Sequence, residues 1–355
     1  MPSQIQSLAQ LDGAGRANVT DTAWDYLMGG AGDERTLRRN ARAYDHWDLV
    51  PRFLTGAAPP TSTARVLGFE VALPVLTAPF GADGTLHPEG QKAVAQACQD
   101  IGTVAVVPAS SPFTFEEVAK AAPQAAKVAQ VHAAGSMEAF QSLLTRIADC
   151  GYESLCVTVD TPTRGWRDRV RGSDLVQDPQ LRNANYSAET GGFLEQLRAQ
   201  TVPTWRWNQL QDACSHTALP FCVKGLLSPA DALLAADAGA CAVIISNHGG
   251  RQLDGTPTVA EVLPEFVRLA GHRVEIVVDS GIRRATDVAK AMCLGASGVL
   301  VGKLAGAALA ADGRAGVARM LQLLQEELVN VMSQLGCADP TSFSPDLIQR
   351  RACGC

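Results

Sequence analysis

The sequence predicts an α/β fold: a (β/α)8 TIM barrel with an N-terminal helical extension and a long loop insertion after the fourth strand. Eight short apolar runs recur along the chain, and an amphipathic stretch with helical periodicity follows each of them. The runs are almost continuously apolar, which is typical of parallel strands that are covered on both faces. Polar residues and glycines follow several runs directly, at the face where barrel enzymes carry their active sites.

The strands are expected in chain order at 74–79, 104–109, 127–132, 154–160, 220–225, 241–247, 274–281 and 298–302. The helices between them are expected at 90–101, 115–121, 136–150, 229–238, 258–269 and 286–294, and a last helix begins near 304 and continues past 327. Eight such units are enough to close a barrel.

We expect residues 1–355 to form a single domain. Residues 1–73 precede the first strand and are expected to form helices that cap the barrel. Residues 74–167 and 220–335 supply the barrel. Residues 168–219 are too long for a simple crossover, and the polar stretch 177–204 predicts a loop over the active-site face. Trp205 and Trp207 are expected to anchor the helix that follows this loop.

The composition favours a cytoplasmic protein. The net charge is −6 and 46% of residues are apolar, which gives no reason to expect nucleic acid as a partner. The N-terminus resembles no signal peptide, and no apolar run reaches 18 residues, so no membrane partner is expected. The ten cysteines are scattered, which favours a reducing compartment, and Cys353 and Cys355 at the tail are interpreted as incidental. Without a His-Glu-x-x-His or paired Cys-x-x-Cys motif, no metal is expected.

The most informative run is 241–255, where an apolar strand turns abruptly into a polar loop. His248 supplies a base, and Arg251 supplies a fixed cation three residues later. Gly249 and Gly250 allow the backbone and a ligand to approach each other closely. A base beside an arginine suits a substrate that has a carboxylate to bind and a proton to lose.

The seventh and eighth strands predict a phosphate site. Gly281 and Gly302 follow these strands and allow backbone N–H groups to face an anion, while Arg283 and Lys303 add positive charge. Barrels of this kind usually bind phosphate at the same two loops. Lys224 follows the fifth strand, where it either extends to the rim or faces a bound anion.

Residues 246–252, Ser-Asn-His-Gly-Gly-Arg-Gln, resemble the active-site signature of the FMN-dependent α-hydroxy acid oxidases and dehydrogenases, such as glycolate oxidase, lactate oxidase and mandelate dehydrogenase. The similarity extends from Trp24 to the helix near Glu326. The resemblance implies FMN as cofactor and oxidation of a 2-hydroxy acid to a 2-keto acid, with O2 or another carrier as electron acceptor. It also implies a homo-oligomer, because relatives form tetramers.

The resemblance implies FMN contacts for three groups of residues. The phosphate would lie at Ser280, Gly281, Arg283, Gly302 and Lys303, and Asp279 would hold the ribityl hydroxyls. Lys224 would lie by flavin N1, and Gln130, Thr158 and Ser246 would hydrogen-bond the flavin. The flavin would pack against Ala78, Pro79, Phe80, Gly81 and the loop at Pro108.

For the substrate, the resemblance implies His248 as the base and Asp160 as the partner of its imidazolium. Arg251 and Arg167 would bind the substrate carboxylate, and Tyr26 would hydrogen-bond it. Whether His248 removes the α-carbon proton or the hydroxyl proton stays open, as carbanion and hydride routes are both consistent with the sequence.

Several positions depart from the family pattern. His132 stands where most relatives have a tyrosine that faces the substrate, so it either replaces one polar tip by another or indicates a changed substrate. Ser110 is small where relatives have a large residue, and Pro108 replaces a serine. Lys303 replaces a more usual arginine, and Asp83 is expected near the flavin face.

These departures favour a substrate bulkier than glycolate. They leave two alternatives to simple hydroxy acid oxidation. The first is an oxidative decarboxylase or an enzyme for a tethered hydroxy acid, and the second is an FMN-binding scaffold without catalysis. A nicotinamide dehydrogenase is disfavoured because no Gly-x-Gly-x-x-Gly stands between a strand and a helix.

Overall fold

The computed structural model describes residues 5–173, 184–186 and 205–351. The N-terminal extension starts with three short helices, α1 (Gln10–Ala17), α2 (Asp21–Met28) and α3 (Arg35–Asn40), and a 3-10 turn at Ala43–His46. Thr20 caps α2, because its side-chain oxygen accepts from the backbone N–H of Ala23 at 3.2 Å. The carboxyl end of α2 faces the barrel and contributes to the site described below.

The prediction that residues 1–73 are helical is wrong beyond His46. Three strands follow: β1 (Trp47–Leu49), β2 (Ala64–Val66) and β3 (Phe69–Val71). Strands β2 and β3 pair as an antiparallel hairpin, and Leu67 and Gly68 at its turn both have positive φ, 53° and 83°. That conformation is typical of a tight hairpin turn, and the alternation of large apolar and polar residues in 64–71 is strand-like.

The barrel consists of eight parallel strands that close on themselves in chain order. They are β4 (Val75–Thr77), β5 (Ala105–Pro108), β6 (Lys127–His132), β7 (Ser154–Thr158), β8 (Phe221–Leu226), β9 (Ala242–Ile245), β10 (Glu275–Val278) and β11 (Gly298–Val301). Strand β11 pairs with β4 and completes the circle. All eight predicted strands are present, with ends within three residues of the expected ones, so the barrel prediction is confirmed.

The β2–β3 hairpin closes the amino end of the barrel. Val66, Leu67 and Val71 are buried against the side chains that fill the barrel interior. Gly298 is required at this contact, because a Cβ there would lie 2.7 Å from Cγ2 of Val66. The backbone N–H of Leu67 donates to Oε1 of Glu275 at 3.0 Å. The opposite, carboxyl end of the barrel carries a large cavity, described below.

The remaining helices cover the outside of the barrel. They are α4 (Gly90–Ile101), α5 (Phe115–Ala121), α6 (Met137–Asp149), α7 (Trp207–Ser215), α8 (Pro229–Asp237), α9 (Val259–Ala270), α10 (Ala285–Cys293) and α11 (Lys303–Leu335). A capping box at Thr114 begins α5, and at the start of α9 the backbone N–H of Thr258 donates to Oε2 of Glu261 at 2.7 Å. Helix α11 bends at Asp312 and Gly313, whose backbone angles are not helical. The C-terminal strand Ile348–Arg350 pairs antiparallel with β1.

The insertion after β7 is described only in part. Residues 168–170 form a 3-10 turn and residues 184–186 lie beside the loop after β5. Trp205 donates from Nε1 to the carbonyl oxygen of Gly135 at 3.2 Å and packs edge-on against Phe140, while Trp207 begins α7 and packs against the core. Both act as the anchors that the sequence predicts. The rest of 177–204 lies outside the described residues, and so does the tail with Cys353 and Cys355.

No helix in the described part of the chain combines the length and the hydrophobicity needed to cross a bilayer.

Candidate active site

A cavity of about 480 Å³ opens at the carboxyl end of the barrel strands. This volume is ordinary for a cofactor or small-molecule site. Almost all of the predicted site residues line it: Tyr26, Ala78, Pro79, Phe80, Gly81, Pro108, Ser110, Gln130, His132, Thr158, Arg167, Lys224, His248, Arg251, Asp279, Ser280, Gly281, Arg283, Gly302 and Lys303. Asp160 and Ser246 lie one layer behind this wall.

His248 and Asp160 form an ordered pair at one side of the cavity. Nδ1 of His248 lies 2.9 Å from Oδ1 of Asp160 and 3.1 Å from Oδ2. Because a carboxylate only accepts hydrogen bonds, Nδ1 carries the proton and Nε2 is the basic atom. The backbone of His248 is left-handed, with φ of 58°, and its N–H donates to Oγ of Ser246 at 2.9 Å. Such a conformation is rare outside glycine and is typical of functional sites.

Burial and charge act in opposite directions on this pair. Burial lowers the pKa of His248 below its ordinary value, although Asp160 raises it. Burial alone would raise the pKa of Asp160, but His248 and Lys224 hold it below the usual range. The resting pair is therefore a neutral imidazole beside a carboxylate, which is the form a general base needs at neutral pH.

Arg251 is held by the carboxyl end of α2. Its Nη1 donates to the carbonyl oxygens of Tyr26, Leu27 and Gly29, and the Leu27 and Gly29 bonds are 3.0 Å and 3.2 Å long. A cation is favoured at this end of a helix, where carbonyl groups lack intrahelical partners. The guanidinium also lies 4.8 Å from the ring centroid of Tyr26. The N-terminal extension thus fixes Arg251 in the cavity wall.

Arg167 is fixed by the loop that carries Arg251. Its Nε donates to the carbonyl oxygen of Arg251 at 2.9 Å, and its Nη2 donates to Oε1 of Gln252 at 3.1 Å. Gln252 also donates from Nε2 to the carbonyl oxygen of Asp160 at 2.8 Å. One amide side chain therefore connects the loops after β7 and β9, and both arginines face the same cavity.

Lys224 lies among polar groups at the bottom of the cavity. Its Nζ donates to Oδ2 of Asp279 and to Oγ of Ser246, both at 2.9 Å. Burial would lower the pKa of Lys224, but Asp279 and Asp160 keep it above the ordinary value. Ser280 donates to the second oxygen of Asp279 at 2.6 Å. This lysine is therefore a buried permanent cation.

Glycines and cations also meet at the loops after β10 and β11, which line the same cavity. Gly281 has φ of 101°, and a Cβ there would lie 2.5 Å from the carbonyl oxygen of Asn40. Gly302 precedes the first residue of α11, Lys303. Nζ of Lys303 contacts the carbonyl oxygens of Gly29 and Gly249 at 3.4 Å and 3.3 Å. A helix N-terminus, a lysine and a glycine loop thus converge, as in anion-binding sites.

Comparison with known proteins decides the family. A model of the FMN-dependent dehydrogenase family matches residues 15–350. The chain belongs to this family. L-lactate oxidase of Nostoc sp. (strain PCC 7120) is 35% identical over 347 residues, 94% of each chain. Human 2-hydroxyacid oxidase 1 is 34% identical over 340 residues, 92% of each chain.

Solved structures agree with this assignment. Mandelate oxidase superposes with a TM-score of 0.89 at 34% identity, covering 98% of this chain and 99% of that chain. A structure of mandelate oxidase with benzoyl-formic acid superposes with a TM-score of 0.88 at 33% identity, over 98% and 99% of the two chains. The protein is therefore an FMN-dependent oxidoreductase built on the (β/α)8 barrel of its family.

The chemistry around Lys303 fits the phosphate of FMN. Burial, together with the nearby Arg251 and Arg167, lowers the pKa of Lys303 well below its ordinary value, and only Glu34 opposes this among the main influences. A phosphate beside Lys303 would supply the negative charge that this region needs. Arg283 also lines the cavity, and its Nη2 donates to Oδ2 of Asp12 at 2.5 Å. The donor set thus suits a flavin mononucleotide.

Several residues that line or support the cavity were not predicted from the sequence. Asp12 and Asn40 line the cavity but come from the N-terminal extension. Asn40 and Asn247 form a reciprocal amide pair at 2.7 Å and 2.8 Å, and this pair holds the loop before His248. Gln252 is the last residue of the signature at 246–252, so the sequence contained a signal that it belongs to the site. Asp12 and Asn40 offered none, because their roles depend on contacts with residues more than 200 positions away.

Asp83 is buried and does not line the cavity, so the expectation that it lies near the flavin face is wrong. The backbone turns at Ala82, whose φ is 58°, and Asp83 becomes fully buried. Its Oδ2 accepts from the backbone N–H of Gln91 at 2.9 Å and from Oγ of Ser111 at 3.1 Å. Burial raises the pKa of Asp83 to about 7, despite these hydrogen bonds. The carboxyl group therefore joins the first turn of α4 to the loop after β5 instead of facing the cavity.

Proposed function

We propose that this protein oxidises 2-hydroxy acids to 2-keto acids with FMN as the bound cofactor. The observation that carries the proposal is the neutral His248, paired with Asp160 and facing a cavity that two arginines also line. When bound, FMN supplies the acceptor for the two electrons that leave the substrate. The names of the relatives, which include lactate, 2-hydroxyacid and mandelate oxidases, support the same substrate class.

Arg251 and Arg167 bind the substrate carboxylate, and Tyr26 adds a hydrogen bond from the N-terminal extension. Two guanidinium groups recognise a carboxylate through charge and through paired N–H donors. Their own contacts with Gln252 and with the end of α2 hold them in place before the substrate arrives. This preorganisation places the α-carbon and its hydroxyl next to His248.

His248 then removes a proton through Nε2. Whether this proton comes from the α-carbon or from the hydroxyl group, it ends on the imidazole, which becomes positively charged. Asp160 stabilises that charge through Nδ1, at the distance found in the resting pair. Lys224 provides a buried cation at the bottom of the cavity, where it would stabilise negative charge that develops on the reduced cofactor.

The remaining cofactor contacts follow from the predicted positions. Ser280, Gly281, Arg283, Gly302 and Lys303 would hold the phosphate, and Asp279 the ribityl chain. Gln130, Thr158 and Ser246 would hydrogen-bond the flavin ring and side chain. Ala78, Pro79, Phe80, Gly81 and Pro108 would pack against it. Support comes from the cavity, which all of these residues line except Ser246, whose hydroxyl contacts Lys224.

We also infer that the substrate is bulkier than glycolate. Ser110 leaves room beside the cavity, and a second cavity of about 310 Å³ adjoins the first. His132, Thr158 and Thr161 line both cavities. A side chain attached to the α-carbon could therefore continue past His132. A homo-oligomer in the cytoplasm, with O2 or another carrier as electron acceptor, is the setting we propose for the single domain.

Anaerobic titration of the FMN-loaded protein tests the proposal. The flavin absorbance should bleach with one or more of glycolate, lactate, long-chain 2-hydroxy acids and mandelate, and more readily with the larger acids. His248→Asn should keep the flavin spectrum but lose the bleaching. Admission of air then separates an oxidase from a dehydrogenase by the rate of recolouring. A yellow protein that no 2-hydroxy acid bleaches would contradict the proposed activity.

A further inference from the structure

His132 ends β6, and its partly buried imidazole lies in the wall of the active-site cavity. Its Nδ1 lies 2.9 Å from the hydroxyl oxygen of Tyr186, and its Nε2 lies 3.4 Å from Nε2 of Gln130. Burial, with help from the nearby His248 and Lys224, lowers the pKa of His132 to about 3. His132 is therefore neutral, so only one of its two ring nitrogens carries a proton.

Tyr186 belongs to a short segment that is firmly attached to the loop after β5. Hydrogen bonds of 3.0 to 3.2 Å join Ala184 to Ser111, and Asn185 to Ala109, Phe113 and Phe115. The side chain of Asn185 is buried and uses both its oxygen and its nitrogen in these bonds. These bonds fix the backbone on the amino side of Tyr186. The hydroxyl of Tyr186 approaches His132 from outside the barrel.

The proton on His132 can be placed from its surroundings. The amide nitrogen of Gln130 directs its hydrogens toward Oγ1 of Thr158 at 2.9 Å and the carbonyl oxygen of Val131 at 3.1 Å. An amide nitrogen has only two hydrogens, so Gln130 has none to give to Nε2 of His132. Burial raises the pKa of Tyr186, so its hydroxyl keeps its proton. A phenol is the stronger donor and an imidazole nitrogen the stronger acceptor of this pair.

We propose that Tyr186 is a positioning residue for His132: its hydroxyl donates to Nδ1, so that Nε2 carries the ring proton and serves as a hydrogen-bond donor toward the substrate. The first half of the proposal concerns only these two side chains. The donor role toward a substrate rests on the proposed oxidation of 2-hydroxy acids. Nε2–H of His132 would then donate to the substrate in place of a hydroxyl group. Tyr186 would hold the imidazole in position through Nδ1.

The tautomer can be measured directly on the FMN-loaded protein labelled with 15N-histidine. Long-range 1H–15N correlation spectra distinguish a ring protonated at Nε2 from one protonated at Nδ1, and the signal missing in His132→Tyr assigns His132. We expect an Nε2-protonated ring in the wild type and a shift toward the other tautomer or an average in Tyr186→Phe. A wild-type ring protonated at Nδ1, or a tautomer that Tyr186→Phe leaves unchanged, would overturn the proposal.

Kinetics of four proteins test the consequence for the substrate: the wild type, Tyr186→Phe, His132→Tyr and the double variant. Tyr186→Phe should lower kcat/KM about 10-fold, the typical effect of one hydrogen bond. In the His132→Tyr background the same change should have almost no effect, because Nδ1 is absent. Equal losses in both backgrounds would show a structural role only and would refute the positioning role.

Tyr152→Phe is the matched control. Tyr152 is a buried tyrosine that does not line the cavity, and its hydroxyl donates to the carbonyl oxygen of Phe115 at 3.2 Å. This variant should keep both the His132 tautomer and kcat/KM, and a 10-fold loss here would also refute the specific role of Tyr186. If no 2-hydroxy acid reduces the flavin, the proposed function fails, whereas the tautomer measurement still decides the pairing of Tyr186 with His132.

Discussion

Nδ1 of His248 lies 2.9 Å from Oδ1 of Asp160, while the backbone of His248 is left-handed with φ of 58°. His248 combines a strained backbone with an oriented imidazole. The fold therefore maintains the contact with Asp160 although a left-handed backbone is unfavourable for histidine. Asp160 stands at the end of β7 and His248 at the end of β9, so the contact crosses the rim of the barrel. The contact with Asp160 keeps the ring proton of His248 on Nδ1 and leaves Nε2 basic.

Asp160→Asn should therefore reduce kcat by about 10²-fold or more, because the imidazolium that forms during the reaction loses its counter-charge. The pH profile should change as well. Asp160 raises the pKa of His248 against the effect of burial, so its removal lowers that pKa further. The acid limb of kcat/KM, where His248 becomes protonated and inactive, should move to lower pH. Stopped-flow flavin reduction between pH 5 and 9 checks both effects.

Asp254→Asn is a suitable control for this prediction. Asp254 accepts from the backbone N–H groups of Arg35 and Thr36 and does not line the cavity. Its replacement should leave the rate and the acid limb in place. An acid limb of Asp160→Asn that stays at the wild-type pH or moves upward would contradict the assigned roles of the pair.

Arg167→Met should raise KM by about 10- to 100-fold and lower kcat less, since a charged hydrogen bond to a carboxylate contributes roughly 1.5 to 3 kcal/mol. Arg171→Met on the same loop is the control, because Arg171 stacks on Trp166 at 3.7 Å and does not line the cavity. Steady-state kinetics with the best substrate tests this, and equal KM values for both variants would argue against carboxylate binding by Arg167.

The sequence predicted the residues whose position follows from the end of a strand. Lys224, Asp279 and His248 come directly after apolar runs, and parallel strands bring their ends to one face. The residues that hold these side chains gave no local signal. Gln252 meets Arg167 and Tyr186 meets His132 only because loops 85 and 54 residues apart come together. Such contacts depend on loop geometry, which hydrophobic periodicity does not encode.

Asp83 shows a second limit of sequence reasoning. It follows Gly81 by two residues, so proximity along the chain predicted a shared surface. The left-handed backbone at Ala82 reverses the direction of the chain, and the carboxyl group points into the protein. The β2–β3 hairpin is a similar case, since its alternation is short and a helical cap was a reasonable expectation for the segment before the barrel.

Lys303→Met should weaken FMN binding about 10- to 100-fold but leave riboflavin binding unchanged. The two flavins differ only in the phosphate, so their comparison isolates the charge of Lys303. Fluorescence quenching titrations of the apoprotein with each flavin give the two Kd values. Lys290→Met is the control, because Lys290 donates to the carbonyl oxygen of Tyr44 outside the cavity. An equal loss for riboflavin would contradict a phosphate contact.

Asp83→Asn should stabilise the protein at high pH relative to low pH. Burial raises the pKa of Asp83 from 3.8 to about 7, so the native state holds its proton more tightly than the unfolded state between these values. The wild type therefore loses free energy of unfolding as pH rises from 3.8 to about 7, and this loss is complete above pH 7. Asparagine does not ionise, so the variant has no such loss. Its benefit to the free energy of unfolding should be about 1 to 3 kcal/mol larger at pH 8 than at pH 5.

Urea unfolding of the wild type and Asp83→Asn at both pH values measures this difference. Only the change between pH 5 and pH 8 is compared, because the amide also alters the hydrogen bonds to Gln91 and Ser111 by an amount that does not depend on pH. Glu70→Gln, at an exposed position on the β2–β3 hairpin, is the control for a lost carboxylate. A benefit of Asp83→Asn that is equal at both pH values would mean that Asp83 is ionised throughout, held by its two hydrogen-bond donors.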